Sequence, residues 1–379
     1  MFDGTAERIE FDDDRIRLHL RDLQVLFERP LQQSLYLGTG GSEGDAGLKG
    51  RPKPLCYGRC FHVPAVLVDA ATLTYQVHDG QISGIDAVFD SGLALTSGTE
   101  PPAPSHYAVD LAAGTFRLGS APDGPVTAHV HGDAAGGAYA EDAASLMLRI
   151  AMRASGLSLI DWGAFASLTL AAPMAAGFFA SQETGMLSAL DDLADSIGAH
   201  FGFNRQGLFT VGRLTEPLET ATESFDDSAI VSLEREPSAL PIWRQKLGYA
   251  RYWRPLSDGE SATGLGAEAR SDLTASHRYA DASDPAIQIR HKLAGDIQKD
   301  GLLATEPDAA TEAARRLALF GTARDLFRVR VKTRPYSLTL GSTIRITYPR
   351  HGLAGGRNLV LAGLSEDSAF DEAELTLWG

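Results

Sequence analysis

Apolar and polar residues alternate with period two in short runs near the end of the chain, at 327–331, 337–340, 343–347, 359–362 and 374–378. Gly341, Pro349, Gly352, Gly355 and Gly356 sit between the runs. Alternation sends every second side chain to the same face. The runs therefore predict a small antiparallel sheet or barrel with one buried and one solvated face. The sequence stops at Trp378-Gly379, so the C-terminus is expected to be tied into the last strand.

Upstream the pattern changes several times. Residues 15–20 read as a strand running into a short amphipathic stretch, 20–27, and the chain is expected to enter without an opening turn or hairpin. Residues 38–54 form a Gly- and Pro-rich loop with no apolar period. Residues 55–132 read as all-β, with strands at 61–68, 73–77, 85–89, 93–96, 107–110, 115–118 and 125–131. Turns such as His78-Asp79-Gly80 and Asp90-Ser91-Gly92 suggest meandering hairpins.

Residues 141–200 take up a helical period. One helix over 142–155 places Ala143, Leu146, Ile150 and Ala154 on one face, with Gly156 as its C-cap. A second starts near Asp161, and a third covers 188–201 with Leu190, Leu193, Ala194 and Ile197 inward. A hairpin is expected around residues 204–207, then an acidic linker over 213–230 and a strand over 243–255. Two helices follow within 284–320, the second starting at Pro307-Asp308 with Ala310, Ala313, Ala314, Leu317 and Phe320 inward. The whole reads as α+β, β-rich and multidomain, in segments 1–54, 55–135, 136–215 and 216–379.

Composition agrees with a β-rich globular chain: 379 residues, 44% hydrophobic, 22% charged, with 39 glycines and 18 prolines. A net charge of −15 argues against a surface that binds nucleic acid over its whole area. The charge is uneven. Residues 315–357 hold ten Lys or Arg and one acid, Asp325, whereas 366–374 hold five acids and no base. Such runs are read either as solvated faces or as a basic band that meets an acidic neighbouring subunit. The N-terminus has neither a basic nor an apolar leader region, and the apolar stretch 159–180 is broken by Asp161, Gly163, Pro173 and Gly177. A soluble protein made in a cytosol, with no membrane insertion of its own, is expected.

Candidate chemistry is thin. Gly40-Gly41-Ser42-Glu43-Gly44 matches G-x-S-x-G, but a nucleophile elbow needs a strand before the serine and a helix after it. Here Gly44, Asp45, Ala46 and Gly47 follow, so a flexible loop is the expected role of Ser42. Cys56 and Cys60, the two cysteines, would face one side of a strand and suit packing, and no second pair of zinc ligands accompanies them. His129 and His131 are an i, i+2 pair whose rings would face one side, as in some metal sites, or end a solvated strand. Asp12-Asp13-Asp14 lacks the glycine and distal glutamate of a calcium loop. No catalytic, cofactor-binding or metal-binding residue is assigned, and none of the usual phosphate, zinc-protease or dinucleotide motifs occurs.

Several segments taken in order resemble the baseplate or tail hub proteins of tailed bacteriophages, especially long-tailed, transposable siphophages. They are LKGRPKPLCYGRCFHVPAVLVD (48–69), YQVHDGQISGIDAVFDSGLALT (75–96), YAVDLAAGTFRL (107–118), LDDLADSIGAHFGFNRQGLFTVGRL (190–214), WRQKLGYARYW (243–253) and the closing IRITYPRHGL with LAGLSEDSAFDEAELTLWG. The resemblance implies a non-enzymatic virion component, assembled in the host bacterial cytoplasm and located at the tail tip. Hubs of this kind form homotrimers whose two tube-like β-barrel domains per subunit make a pseudo-sixfold ring. That ring adapts the hexameric tail tube and distal-tail ring to a trimeric central fibre, with the tape measure protein and other tail-tip proteins as further neighbours. Residues 326–379, together with 243–255 and the intervening helices, would form one such barrel. Relatives carry a longer β-domain before the position of residue 1, so the second tube-like domain is either incomplete here or supplied by another chain. A tail-associated hydrolase acting through Ser42 and a receptor- or carbohydrate-binding module over 55–132 are the alternatives.

Overall fold

The structure, a computed structural model, describes residues 5–12, 16–154, 157, 159–237, 239–257, 259–367 and 370–379. Two of the residues named above as calcium-loop candidates, Asp13 and Asp14, and the expected C-cap Gly156 lie outside the described residues.

The described chain opens with a hairpin, contrary to the expectation of a hairpin-free entry. Strand Thr5–Phe11 pairs antiparallel with Ile16–Arg21, which matches Ile9 to Leu18 and Phe11 to Ile16. A bulge between Ala6 and Arg8 breaks the strict alternation of the first strand, so period-two reading recognised only the second. Asp22 then caps a 3-10 turn, Leu23–Phe27, by accepting from the Gln24 N–H at 3.0 Å. Phe27 closes that turn, fully buried against Phe203 and Phe209.

Residues 55–133 form a two-sheet sandwich, with strands near the positions expected. One sheet runs in the order Val66–Asp69, Thr74–Gln76, Thr115–Leu118, His106–Asp110, Thr96–Ser97. The other runs Gly177–Ala180, Leu55–Pro64, Val126–Asp133, Ile82–Asp90, Leu93–Ala94. Val63, Val88, Ala128 and Val130 of the second sheet meet Tyr75, Tyr107, Phe116 and Leu118 of the first. Cys56 and Cys60 lie in this core, fully buried and unbridged. Gly58, between them, has φ +64°, and a Cβ there would strike the carbonyl of Ala176 on the neighbouring strand side.

The central body is built from helices Ala143–Ala151, Trp162–Ala171 and Met186–Ser196, a hairpin Ala199–Phe203 with Phe209–Arg213, and a three-stranded sheet. Asp142 and Asp161 cap the first two helices, accepting from the N–H groups of Ser145 at 2.9 Å and Ala164 at 3.0 Å. In the three-stranded sheet, Ile242–Tyr249 lies between Arg278–Ser283 and Gly295–Leu303, and helix Glu306–Phe320 packs across it. The strand expected at 243–255 therefore belongs to the central body and not to the closing sheet. Its continuation straps the sandwich on: the Trp253 N–H reaches the Phe61 carbonyl at 3.1 Å, and the indole sits between Phe178 and Phe179.

The closing sheet is an open half-barrel of six strands. Its order is Glu223–Phe225, Thr343–Ile346, Arg357–Asp367, Glu372–Trp378, Leu326–Val331, Ile230–Glu236. Phe327, Val329, Val331, Ile344, Ile346, Leu375 and Leu377 all point inward at 0% exposure. The run 337–340 is not a strand. After Pro335 it turns, with the Leu338 N–H bonded to the Pro335 carbonyl at 3.1 Å, and Leu338 caps the barrel core. The Gly379 N–H bonds Asp325 and its carbonyl accepts from Arg357, which ties the last residue into the sheet.

Candidate assembly surfaces

The sequence-separated charge runs meet across the closing sheet. Leu326–Val331 runs antiparallel to Glu372–Trp378, so Arg330 stands opposite Glu374 and Arg328 opposite Thr376. On the solvated face Arg328 pairs with Glu236 at 2.6 Å and approaches Glu374 at 3.6 Å, while Arg330 reaches Glu372 at 3.4 Å. Arg334 pairs with Asp371 at 2.7 Å, Arg205 with Glu366 at 2.6 Å, and Arg357 with Asp325 at 2.8 Å. Three members of the basic band, Arg328, Arg330 and Arg334, thus meet the acidic band within the chain, while Arg315, Arg316, Arg324 and Arg357 pair with acids outside it. The cross-strand pairs form a ladder of alternating sign rather than two opposed faces.

One member of the basic run, Arg316, is interior, and Arg315 is partly buried beside it. Glu312 is fully buried on helix Glu306–Phe320 and is held by Arg213, Arg315 and Arg316. Burial pushes its carboxyl upward, but hydrogen bonds from Arg315 and Arg316 and the charge of Arg213 outweigh this and hold it below the ordinary range. Arg213 also donates to the carbonyls of Ile197 at 2.8 Å and Ala171 at 2.7 Å, and Arg315 to that of Leu214 at 2.8 Å. The cluster ties three helices and a hairpin together. It also sets the inward face of this helix apart from the one its apolar spacing predicts. Its buried residues are Ala309, Glu312, Ala313, Arg316 and Leu319, whereas Phe320 is 38% exposed. An apolar pattern cannot show a buried face that carries a carboxylate and a guanidinium.

The sites considered from sequence are dispersed. Ser42 lies in a 3-10 turn, Gly41–Glu43, between Gly40 at φ +95° and Gly44 at φ +68°. No strand leads directly into it and no helix starts directly after it, so the nucleophile-elbow geometry is not formed. Its neighbour Glu43 braces the loop instead, pairing with Lys53 at 2.6 Å and accepting from the Leu37 N–H at 3.2 Å.

A bulge between His129 and Val130 separates the partners of the two histidines. His129 packs against His62, Phe89 and Phe61, with ring centroids 4.5 to 5.2 Å away. His131 instead bonds Asp86 at 2.8 Å and Tyr139 at 3.0 Å. Burial pushes His62 down to about 3 and His129 to about 4. His78, whose Nδ1 accepts from the Cys56 N–H at 3.0 Å, is likewise pushed down by burial to about 4. Among the described residues no group of three His, Cys, Asp or Glu is arranged to hold a metal ion.

What remains are uncovered surfaces. A cleft of about 590 Å³ separates the closing sheet from the three-stranded sheet, lined by Leu240, Ile242, Ile297, Phe320 and Trp378, with Arg324 over the Trp378 ring at 4.9 Å. The N-terminal hairpin presents Ile9, Phe11, Ile16, Leu18 and Leu20 to solvent at 46–77% exposure. The register places them on one face of the two-stranded sheet. Arg8, Glu10, Arg17 and His19 occupy the other, where Glu10 pairs with Arg8 at 2.9 Å and lies 3.5 Å from His19.

Comparison with solved structures bears on the fold. A chain of the virion of a native gene transfer agent particle matches with a TM-score of 0.54 at 14% identity, covering 94% of this chain and 91% of that one. The protein shares the fold of a virion component. A tail protein from Neisseria meningitidis (13% identity, 88% and 94% covered) and a 43 kDa tail protein of a Shewanella oneidensis prophage (11%, 86% and 93%) match at TM-scores of 0.37, too low to decide anything. No established sequence family matches the chain, and no curated protein does.

Proposed function

We propose that this chain is a structural virion protein, a tail-tip or baseplate hub without enzymatic activity. In this reading three copies form a ring that adapts the sixfold tail tube and distal-tail ring to a threefold central fibre, during tail assembly and DNA ejection. The half-barrel of residues 223–236 and 326–378 serves as one tube-like wall. The distal-tail ring, the central-fibre and other tail-tip proteins and the tape measure protein are the neighbours, with no sequence-specific contact to nucleic acid. The observation that carries the proposal is a fold shared over 94% of the chain with a component of a virion. The charge of −15 suits a subunit that contacts protein rather than holding DNA. The test is made on particles: a gold-labelled antibody to this chain should mark the tail end distal to the head, and removing the chain should yield particles without complete tails. Normal particles that lack the chain would overturn the reading.

A further inference from the structure

The hairpin Thr5–Phe11/Ile16–Arg21 is a sheet with one layer missing. A two-stranded hairpin is marginal alone in water, and its outer edges are open. The five side chains on its apolar face leave on the order of 600 Å² of apolar surface in water, at the upper end of what a monomer normally exposes. The turn that follows is anchored by buried Phe27, and Arg21 pairs with Glu28. The hairpin thus joins the body through this turn, and its apolar face is exposed.

A second face has the complementary defect. Helix Trp162–Ala171 reads WGAFASLTLA and contains no charged residue. It buries Phe165 and Leu168, but Trp162 is 61% and Leu170 83% exposed, and Ala166 between them is exposed. Positions 162, 166 and 170 follow the i, i+4, i+8 spacing of one apolar stripe. A solvent-facing helix side without a charge is the side that packs against something. Sheets and helices bury such faces against each other. The helix is about 15 Å long at 1.5 Å per residue, within the length of a seven-residue strand.

We infer that the apolar face of the hairpin of one copy packs on the Trp162–Leu170 stripe of the next copy. The occupant is a second copy because one chain carries both halves of the contact and, among the described residues, covers neither. The two faces together bring on the order of 1,000 Å² of apolar surface out of water, and with flanking polar atoms this reaches the range of specific interfaces. The contact joins two different surfaces, so it is head-to-tail, and repeated by rotation it closes a ring. The inference rests on the ring reading above and adds the surfaces that would build it.

The test uses the full chain and two exposed double variants, Phe11→Asp/Leu18→Asp and Trp162→Asp/Leu170→Asp, with molecular mass read by sedimentation. Circular dichroism and thermal unfolding check that each variant folds as the wild type does. The wild type should form a closed oligomer, and each variant alone should be monomeric at concentrations where the wild type is fully assembled. Mixed one to one, the two variants should form a dimer and nothing larger, since a single intact hairpin–helix contact is possible between them. A bis-maleimide should join Leu18→Cys chains to Leu170→Cys chains in a mixture, the native Cys56 and Cys60 being fully buried. If the wild type assembles and both variants assemble equally, the hairpin–helix contact is wrong while the ring reading stands. If the wild type stays monomeric at every concentration, both fail.

Discussion

The closing half-barrel and the N-terminal hairpin are both alternating β-structure, and they meet opposite fates. In the half-barrel Val329, Leu375 and Leu377 alternate with Arg328, Glu374 and Thr376, and the apolar set is at 0% exposure. In the hairpin Ile9, Ile16 and Leu18 alternate with Arg8, Arg17 and His19, and the apolar set is at least half exposed. The pattern is the same. The difference is whether the chain supplies the covering layer: Leu338, Leu353 and the curl of the six-stranded sheet cover the one, and nothing among the described residues covers the other. Alternation thus specifies that a face will be buried without specifying by which molecule.

The largest expected effect marks the inner extreme of the comparison. Glu312→Ala leaves Arg213 and Arg316 buried without their carboxylate and should cost about 3–5 kcal/mol in denaturant unfolding. Loss of less than 1 kcal/mol would mean that the cluster does not join the central helices. Next, Leu375→Ala in the half-barrel should cost about 2–5 kcal/mol, while Leu18→Ala in the hairpin should change unfolding of the isolated chain by no more than about 0.5 kcal/mol. Equal costs at both sites would erase the distinction between the covered and the uncovered face.

Legibility from sequence followed the same divide. Most strands of the sandwich, the three central helices and the terminal strands of the half-barrel are legible because their buried faces are apolar and regularly spaced. Three features are not. The strand Thr5–Phe11 was hidden by its bulge, and the run 337–340 alternates but caps the barrel instead of joining it. The inward face of helix Glu306–Phe320 was misassigned because Glu312 and Arg316 are buried in it. Charge runs were visible, but their pairing depends on antiparallel register, which no local pattern records. The helix beginning near Asp161 is legible in sequence, but that its apolar stripe lies uncovered needed the fold.

A smaller effect is expected from pH. His62, His78 and His129 are held neutral by burial, with folded pKa values of about 3, 4 and 4 below an ordinary 6.5. Their contribution to stability is fully present above pH 6.5 and is lost progressively as pH falls toward 4. The thermal midpoint should therefore drop between pH 7 and pH 4, and His129→Phe should flatten that drop; an unchanged slope would place the sensitivity elsewhere. A modest effect is expected from Arg328→Glu with Arg330→Glu, which disrupts exposed cross-strand pairs and should cost under about 1 kcal/mol each. Intact oligomers in this double variant would agree with a ladder satisfied inside the chain, and dissociated ones would move the subunit contact to the outer face of the half-barrel.

The central claim is that this chain is built to be covered by copies of itself. Sedimentation equilibrium of the full chain over a wide concentration range tests it most directly. The account predicts a species of three times the 40.4 kDa chain mass at high concentration. A single species of one chain mass across the whole range would contradict it.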